Sequence, residues 1–514
     1  MNVAILKWHR RLGLIAAVGV ILSSVSGMLH PLMTRLQPAP AKMTLDYRLP
    51  ALANAMAPSG LLKANGLTAI SDLRVVSWAG RSYYQVTLLD GISRRYFGLH
   101  DGAPLADGDR KYAEYLAREF VGKHGAPVRR ATVVDAFDWE YPRINRLLPV
   151  WRIEFDRPDA MRAYIDTRTG RLGTLVDRTK VFSSVEFAIA HRWQWLDPIA
   201  PALRIIVFSL VLLAALGVTL SGCWIYIARW SHSAASWNLR RVHRVWGVSI
   251  SLVSFMFVLS GGFHLLHLGL RGDPGERFQL LAKRHQAAAL QIAPLNAVRR
   301  AGLAAVESIS LAQVDGRLYY RVQPAVDENA AAGAAAHQHG GHIPQGKVTP
   351  GQVAEPGAAV FVSALDGAVL PDGELRFAAE IAQSAGLRSA SGKVTIVTQF
   401  DDEYGFAFKR LPVYRVPFAG GVTVYVDATD GNLAAVIDDA DRAEGWVFAY
   451  VHKLEWLTPV IGTDWRDVIA AMVAFSLTVA ALLGIAVYAQ LFRSARSAIG
   501  KLSQKEKSWR QERG

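Results

Sequence analysis

The sequence predicts an α-helical membrane protein, with four transmembrane helices that arise from an internal duplication and two small external α+β domains. Three observations predict this fold: four long stretches without charged residues, sequence blocks that recur in the same order, and basic residues concentrated beside the stretches. Of the 514 residues, 51% are hydrophobic, 19% are charged and one is cysteine. This composition argues against disorder. The single cysteine excludes an intrachain disulfide framework and cysteine-ligated zinc or iron–sulfur sites.

Each uncharged stretch is long enough to cross a bilayer. The four stretches contain 23, 24, 26 and 25 residues between their flanking charges, and a spanning helix needs about 20. The predicted transmembrane helices occupy residues 8–34, 204–229, 244–269 and 466–491. The first stretch also fits a signal peptide, because basic residues precede it. The repeat described below argues against cleavage, since a copy of this helix occurs in mid-chain.

Basic residues orient the predicted helices. Lysine and arginine dominate the amino end, the loop 230–243 and the tail 492–514, so these parts are expected on the cytoplasmic side. The external domains are then 36–186 and 272–447, followed by interfacial segments at 187–203 and 448–465. The formal net charge of +14 is therefore interpreted as a topology signal that favours the lipid bilayer, and no nucleic-acid partner is predicted.

Sequence blocks recur in the same order in both halves of the chain, which indicates a parallel repeat. The matching blocks are 7–13 with 241–247, 26–30 with 260–264, 80–86 with 316–322, 101–108 with 366–373, 148–152 with 411–415, 164–172 with 425–433, and 187–195 with 448–456. The second copy contains an additional low-complexity insertion at 330–359. Its histidines His337, His339 and His342 are weak metal-ligand candidates, and a flexible loop is the favoured interpretation.

The external domains are predicted to combine strands with a helix. Aromatic and β-branched runs at 83–89, 151–155 and 163–166 predict strands, and the last is followed by a turn at 167–170. The segment 111–124 has helical spacing, with Tyr112, Leu116 and Phe120 on its apolar face.

Six histidines recur in both halves and lie near the ends of the predicted membrane helices: His9 with His243, His30 with His264, and His191 with His452. Paired imidazoles between facing helices commonly bind haem through two axial histidines. We expect His9 and His243 to hold one haem on the cytoplasmic side. The other four are expected to supply one or two sites near the outer face, with their pairing left open. The alternative is that these histidines are interfacial residues with structural hydrogen bonds.

Glycines accompany the histidines at helical spacing. Gly13 and Gly247 follow a histidine by four residues, and Gly27 and Gly261 precede one by three. A flat macrocycle could lie against the backbone there, although ordinary small-residue packing between helices explains the same pattern.

The chain resembles the PepSY-associated transmembrane family, also called PiuB-like iron-regulated membrane proteins, and within it the ferric-siderophore reductases. The resemblance rests on His-Arg-x-x-Gly at the start and Ser-Gly-x-x-His at the end of helices one and three. It also rests on the histidine–tryptophan segments before helices two and four, and on the domain ends 164–170 and 425–431. It implies a bacterial inner-membrane protein with PepSY-like periplasmic domains and two haem b groups.

The resulting hypothesis is an electron-transfer protein that reduces a ferric siderophore or another iron chelate in the periplasm. The acidic and aromatic loops 138–141 and 401–404 are weak candidate contacts for the chelate, and exposed turns are the favoured interpretation. Because the chain has no nicotinamide or flavin motif, the electron donor must be a separate, unidentified partner. The alternative is a non-catalytic protein whose PepSY-like domains restrain a peptidase or sense a ligand.

Overall fold

A computed structural model describes residues 3–42, 49, 55–122, 126–228, 238–275, 283–325, 358–387, 391–405, 408 and 410–511. The chain divides into two compact units, each assembled from separate segments. We call them the helical unit, which comprises Met1–Leu36, Thr179–Gly272 and Ala443–Gly514, and the β unit, which comprises Gln37–Arg178 and Asp273–Arg442.

Four helices of the helical unit are long and apolar enough to cross a membrane. They lie in α1, α5, α7 and α11 of the helix series α1 (Val3–Arg35), α2 (Pro58–Ala64), α3 (Gly108–Val121), α4 (Arg178–Glu186), α5 (Pro201–Ala228), α6 (Leu239–Ser249), α7 (Ser251–Arg271), α8 (Pro294–Ala301), α9 (Gly373–Gln383), α10 (Asp439–Trp446) and α11 (Thr458–Gln511). These four helices agree with the predicted spans in number and position.

Two of the spans differ in detail from the prediction. The third is interrupted at Ile250, whose backbone (φ −103°, ψ 1°) separates α6 from α7. The fourth contains a non-helical residue near its start, Gly462, at φ 77°. Both interruptions are backbone features within apolar or helix-forming sequence, so periodicity does not reveal them.

Tryptophans at the ends of these helices are exposed on the surface of the helical unit. Those near one end are Trp8, Trp224 and Trp246, and those near the other are Trp195, Trp446, Trp456 and Trp465. The apolar side chains between these two groups are also exposed, for example Leu213, Leu252 and Met472. An apolar band with indole rings at both edges is typical of a surface that faces lipid.

The β unit contains eighteen described strands. They are β1 (Ala69–Ile70), β2 (Asp72–Trp78), β3 (Arg81–Thr87), β4 (Arg94–Gly98), β5 (Pro104–Leu105), β6 (Val128–Val134), β7 (Val150–Phe155), β8 (Arg162–Asp166), β9 (Arg171–Val176), β10 (His285–Gln286), β11 (Val306–Val314), β12 (Arg317–Pro324), β13 (Val360–Ser363), β14 (Val369–Leu370), β15 (Thr395–Val397), β16 (Val413–Phe418), β17 (Val422–Asp427) and β18 (Leu433–Ile437).

Both segments of the β unit contribute to one eight-stranded antiparallel sheet, with the order β14-β13-β12-β11-β2-β3-β4-β5. The segments meet where β11 pairs with β2, through Ile309 opposite Val75 and Ser310 opposite Arg74. The predicted segments 36–186 and 272–447 are therefore joined in one compact unit. Each segment also forms a four-stranded sheet of its own, β6-β7-β8-β9 and β15-β16-β17-β18.

Turn residues and buried side chains explain the hairpins and helices of this unit. The β2–β3 and β11–β12 hairpins turn at Ala79-Gly80 and Asp315-Gly316, all with positive φ, as two-residue type I′ turns require. The predicted apolar face of α3 is confirmed, because Tyr112, Leu116 and Phe120 are all buried. The predicted strands correspond to β3, β7 and β8, and the turn at 167–170 is present.

A buried ion pair joins the two four-stranded sheets. The Arg171 guanidinium, at the start of β9, donates to both carboxylate oxygens of Asp427 at the end of β17. It also donates to the Leu411 carbonyl and the Thr429 hydroxyl, each at 2.8 Å. The Asp427 side chain is completely buried. A carboxylate in such a position needs its cation, because the interior solvates charge poorly.

We expect Arg171→Met to destabilise the β unit by up to about 3 kcal/mol, since it removes the cation that donates to both oxygens of the buried Asp427 carboxylate and leaves only the more distant Arg410 guanidinium, at 3.5 Å. The free energy of unfolding is measured on the detergent-solubilised full chain by pulse proteolysis in urea. Arg110→Met is the matched control, because Arg110 pairs with Glu114 on the surface and its loss should have no measurable effect. An equal effect of the two substitutions would contradict a special role for the buried pair.

The burial of His285 predicts that the stability of the β unit depends on pH. Burial, reinforced by the nearby Lys283 ammonium, lowers the pKa of His285 from 6.5 to about 4. Below pH 6.5 the imidazole is protonated in the unfolded chain but stays neutral in the folded chain. The free energy of unfolding therefore falls as the pH drops towards 4, and this group does not affect it above pH 6.5. Between pH 7.5 and pH 5 this single group should cost about 2 kcal/mol.

The measurement compares the unfolding free energy of the wild-type chain and His285→Gln at pH 7.5 and pH 5. The substitution should remove that part of the acid destabilisation. His100→Gln is the control, because His100 is exposed and should leave the pH dependence unchanged. If His285→Gln has the same acid sensitivity as the wild-type chain, the buried neutral imidazole is not its source.

Candidate functional site

Four of the six recurring histidines form two facing pairs inside the helical unit. His9 on α1 faces His243 on α6 with ring centres 6.4 Å apart and ring planes at 54°. His191 faces His452 with ring centres 6.5 Å apart and ring planes at 80°. We call these the first and the second histidine pair. The structure thus brings together the first pair that the sequence suggested and settles which outer histidines face each other.

A π-helical turn presents each histidine of the second pair. His191 ends the turn Phe187–His191, and His452 ends the turn Val447–His452. Two residues later the chain enters the left-handed region at Trp193 (φ 53°) and Leu454 (φ 58°). Bulky residues rarely adopt this conformation, and π turns and backbone strain concentrate at functional sites. The same two distortions occur beside both histidines.

Hydrogen bonds to Nδ1 set the proton position on three of the rings. The His191 Nδ1 lies 3.1 Å from both the Ser26 hydroxyl and the Ser23 carbonyl oxygen. Because a carbonyl oxygen only accepts, the His191 Nδ1 carries the proton. The neutral ring then has its lone pair on Nε2, which is the atom available to a metal.

The rings of His9 and His452 are held in the same way. The His9 Nδ1 lies 3.0 Å from the Ser221 hydroxyl, which itself donates to the Gly217 carbonyl. The His452 Nδ1 lies 3.0 Å from the Ser260 hydroxyl. A serine that gives its own proton to the helix backbone accepts from Nδ1–H, so these contacts also favour a ligating Nε2.

Glycines on neighbouring helices leave space for the histidine rings, because they have no Cβ. A Cβ at Gly222 or Gly484 would lie 3.2 Å from the Cε1 of His9 or His243. At Gly27 and Gly261 the corresponding distances to the Cε1 of His191 and His452 are 3.8 Å and 3.9 Å. Gly27 and Gly261 therefore contact imidazoles, whereas the sequence suggested a macrocycle there.

The remaining two predicted glycines have open surroundings. A Cβ at Gly13 or Gly247 would meet nothing within 4 Å in the described part of the chain. Their contact with a macrocycle stays a prediction. Gly222 and Gly484 were missed by the sequence argument, although they match each other at a spacing of 262 residues, close to the repeat offset.

His30 and His264 lie one helical turn beyond the second pair and are separated from it by phenyl rings. Phe187 packs between His30 (5.3 Å) and His191 (4.5 Å), measured between ring centres. Phe448 packs in the same way between His264 (4.5 Å) and His452 (5.1 Å). His264 also forms a 2.5 Å contact with the Glu444 carboxylate. The assignment of His30 and His264 as ligands stays a prediction. In the described contacts, a phenyl ring separates each of them from the nearer histidine of the second pair.

The spacing within both pairs fits two imidazoles that share one metal ion. With metal–nitrogen bonds of about 2.0 Å and about 1.2 Å from nitrogen to ring centre, a linear arrangement separates the ring centres by about 6.4 Å. Among the described residues no group of three or more His, Cys, Asp or Glu side chains has the geometry of a metal site. Two imidazoles alone suit a metal whose other ligands come from a macrocycle, as in haem.

The two pairs lie at different depths along the helices. Ser26, which holds His191, follows His9 by 17 residues on α1, which corresponds to about 25 Å along the axis. This distance is slightly less than the thickness of a bilayer's hydrocarbon core, about 30 Å. The pairs therefore lie near opposite ends of the apolar band.

The other predicted sites receive less support. His337, His339 and His342 lie outside the described residues. In the loops 138–141 and 401–404, Tyr141 and Tyr404 are completely buried, and their hydroxyls donate to the carbonyls of Leu147 and Arg410. These loops thus contribute to the protein core, and their role as chelate contacts stays a prediction.

A comparison with protein-family models found no match, and a comparison with curated proteins found no significant similarity. Interpretation of the site therefore depends on its geometry.

The glycine contacts predict a graded effect on ligand binding. We expect Gly222→Ala to displace the His9 ring, because the added methyl group would lie 3.2 Å from its Cε1, and to weaken haem binding at the first pair about tenfold. Gly27→Ala, where the added methyl group meets His191 at ordinary van der Waals distance, should change haem affinity little. The measurement is a Soret titration of the haem-depleted protein with haemin. Equal affinities for the two variants would contradict the geometric argument.

Proposed function

We propose that this chain is a haem b protein of the bacterial inner membrane that carries electrons across the bilayer and reduces a ferric siderophore or another iron chelate in the periplasm. The proposal depends on one observation, the geometry of the imidazole rings within the two histidine pairs. Two imidazole pairs have the separation of axial ligands that share one metal, with Nδ1 bonds that favour a ligating Nε2. The pairs lie about 25 Å apart along α1, near opposite ends of the apolar band.

The proposed topology places both termini in the cytoplasm and the β unit in the periplasm. Its support is the concentration of lysine and arginine at the amino end, in the loop 230–243 and in the tail 492–514. The first pair then lies on the cytoplasmic side, where the unidentified donor would deliver electrons. The second pair lies on the periplasmic side.

We further propose that the chain arose by duplication and that its external segments are PepSY-like. Two paired features support this: the two four-stranded sheets with the same order and the two π turns. The pairing of Arg74 with Ser310 joins two positions that correspond at the offset of 236, so the central strands meet about a pseudo-twofold axis.

The residues of the chain have definite tasks in this function. His9 and His243 would hold one haem, and His191 and His452 would hold the other, with Nε2 as the ligating atom of His9, His191 and His452. Ser221, Ser26 and Ser260 keep Nδ1 protonated, so the imidazoles remain neutral and correctly oriented. When bound, haem supplies a one-electron Fe(III)/Fe(II) couple.

Reduction of the chelate balances with one electron. Each electron from the donor converts one chelated Fe(III) to Fe(II), and the donor is oxidised by the same amount. Hydroxamate and catecholate oxygens bind Fe(II) more weakly than Fe(III), so reduction releases the iron. The β unit is proposed to receive the chelate, because it is the folded part of the chain that this topology places in the periplasm.

The proposal predicts a spectrum and its response to substitution. Purified protein from haem-replete cells should show a Soret band that shifts on reduction with dithionite, as expected for haem with two histidine ligands. Replacement of His9, His243, His191 or His452 by alanine should each remove about half of the low-spin haem signal. Replacement of His30 or His264 should leave the low-spin signal intact.

The alternative is a non-catalytic PepSY-type protein that restrains a peptidase or senses a ligand, and the same experiment separates the two. Wild-type protein without a Soret band after haem-replete expression would exclude the electron-transfer function and favour the alternative. Loss of low-spin signal in the His30 or His264 variants alone would retain a haem protein but assign its outer ligands differently.

A further inference from the structure

Two cationic side chains lie directly beside the second histidine pair. Arg192 follows His191, and Lys453 follows His452. The Arg192 guanidinium lies over the ring of Phe187 at 5.6 Å, and the Lys453 ammonium lies over the ring of Phe448 at 5.2 Å. These are the same phenyl rings that stack on the paired histidines. The arrangement of cation, phenyl ring and imidazole thus occurs twice.

Neighbouring cations have carboxylate partners. Arg204 pairs with Asp197 at 2.6 Å, and Arg466 pairs with Asp467 at 2.7 Å. A third, Arg35, pairs with Asp464 at 2.8 Å. The aspartates Asp197, Asp464 and Asp467 are therefore already engaged by other cations.

Arg192 and Lys453 differ from these neighbours. Within the described ranges neither has a carboxylate at ion-pair distance, and the buried Arg192 Nε has no hydrogen-bond partner. For Arg192, contact with a phenyl face compensates only part of the cost of burying the guanidinium, whereas the Lys453 side chain is exposed. The buried Arg192 Nε, together with a second cation that has no carboxylate at ion-pair distance in the described part of the chain, favours anionic groups beside the second pair.

We propose that Arg192 and Lys453 bind the two propionate carboxylates of the haem held between His191 and His452. This inference rests on the proposed function. The charges match, since haem b carries two carboxylates and the site offers two unpaired cations. Arginine and lysine are well suited to the role, because charge-assisted hydrogen bonds to carboxylates are strong.

A sequence pattern accompanies this arrangement. All four paired histidines are followed by a cation, as His-Arg or His-Lys, whereas His30 precedes proline and His264 precedes leucine. Among the described contacts, only Arg192 and Lys453 lie over a phenyl ring that stacks on a paired histidine, so the proposal concerns the second pair alone. The pattern separates the paired histidines from the two that lie behind phenyl rings.

The test compares haem with haem dimethyl ester, in which both carboxylates are blocked. The protein is the full chain with His9→Ala and His243→Ala, so that the second pair is the remaining site. Into this background we introduce Arg192→Met with Lys453→Met, or Arg204→Met as the matched control, because Arg204 is close by and already paired with Asp197. Affinities come from Soret titrations of the haem-depleted protein, and bound phospholipid is measured by phosphate analysis.

We expect the parent protein to bind haem at least about tenfold more tightly than the ester. The double methionine variant should bind both with similar affinity, and Arg204→Met should retain the preference. Bound phospholipid should be the same in all three proteins, because lipid phosphate is the other anion that these cations could attract.

Four results would overturn the inference. A parent protein without preference for haem over the ester, or a double variant that keeps the preference, would reject it while leaving haem binding and the proposed function intact. A double variant that keeps the preference and loses phospholipid would assign the cations to lipid headgroups. Absence of a Soret band with either compound in the wild-type chain would reject the proposed function together with this inference.

Discussion

An imidazole inside an apolar helix bundle is costly unless its polar atoms are engaged, and this constraint governs the surroundings of three of the four paired histidines. The Nδ1 of the fourth, His243, is buried without a hydrogen-bond partner among the described residues. Serine hydroxyls and helix carbonyls meet the Nδ1 atoms of His9, His191 and His452. Since Nδ1 is engaged on the side of the supporting helix, each ring presents Nε2 on the other side. The positions of the serines therefore decide where a ligand can bind, and small residues such as Gly222 and Gly484 let the rings approach the backbone.

The two halves of the helical unit are similar in backbone but different in detail. Ser221 supports His9, while the position 262 residues later is Leu483. Trp193 and Leu454 share a left-handed backbone conformation, yet only Trp193 has an indole ring, which is buried and packs against Phe208. Such differences make the surroundings of the two pairs unequal. In the proposed haem protein, unequal surroundings would give the two sites different potentials, because hydrogen bonds and burial tune the potential of a haem.

The β unit depends on a different constraint, the pairing of its two segments. The eight-stranded sheet is continuous only because β2 and β11 pair across segments that are distant in sequence. The completely buried Tyr84 and Tyr320 belong to one hydrophobic core that both segments form. The Arg171–Asp427 ion pair adds a polar connection between the two smaller sheets. Neither segment buries this core alone, so the unit behaves as one folding entity.

By itself, the sequence determined the number and approximate position of the apolar helices, the apolar face of α3 and the six recurring histidines. These features depend on local composition, on periodicity or on direct repetition. Only the tertiary structure decided that His191 faces His452, that His30 and His264 lie behind phenyl rings, and that Gly27 contacts an imidazole. The physical reason is that these contacts join helices distant in sequence. In the second pair they also depend on π turns, whose extra residue changes the direction of a side chain without a signal in the hydrophobic pattern.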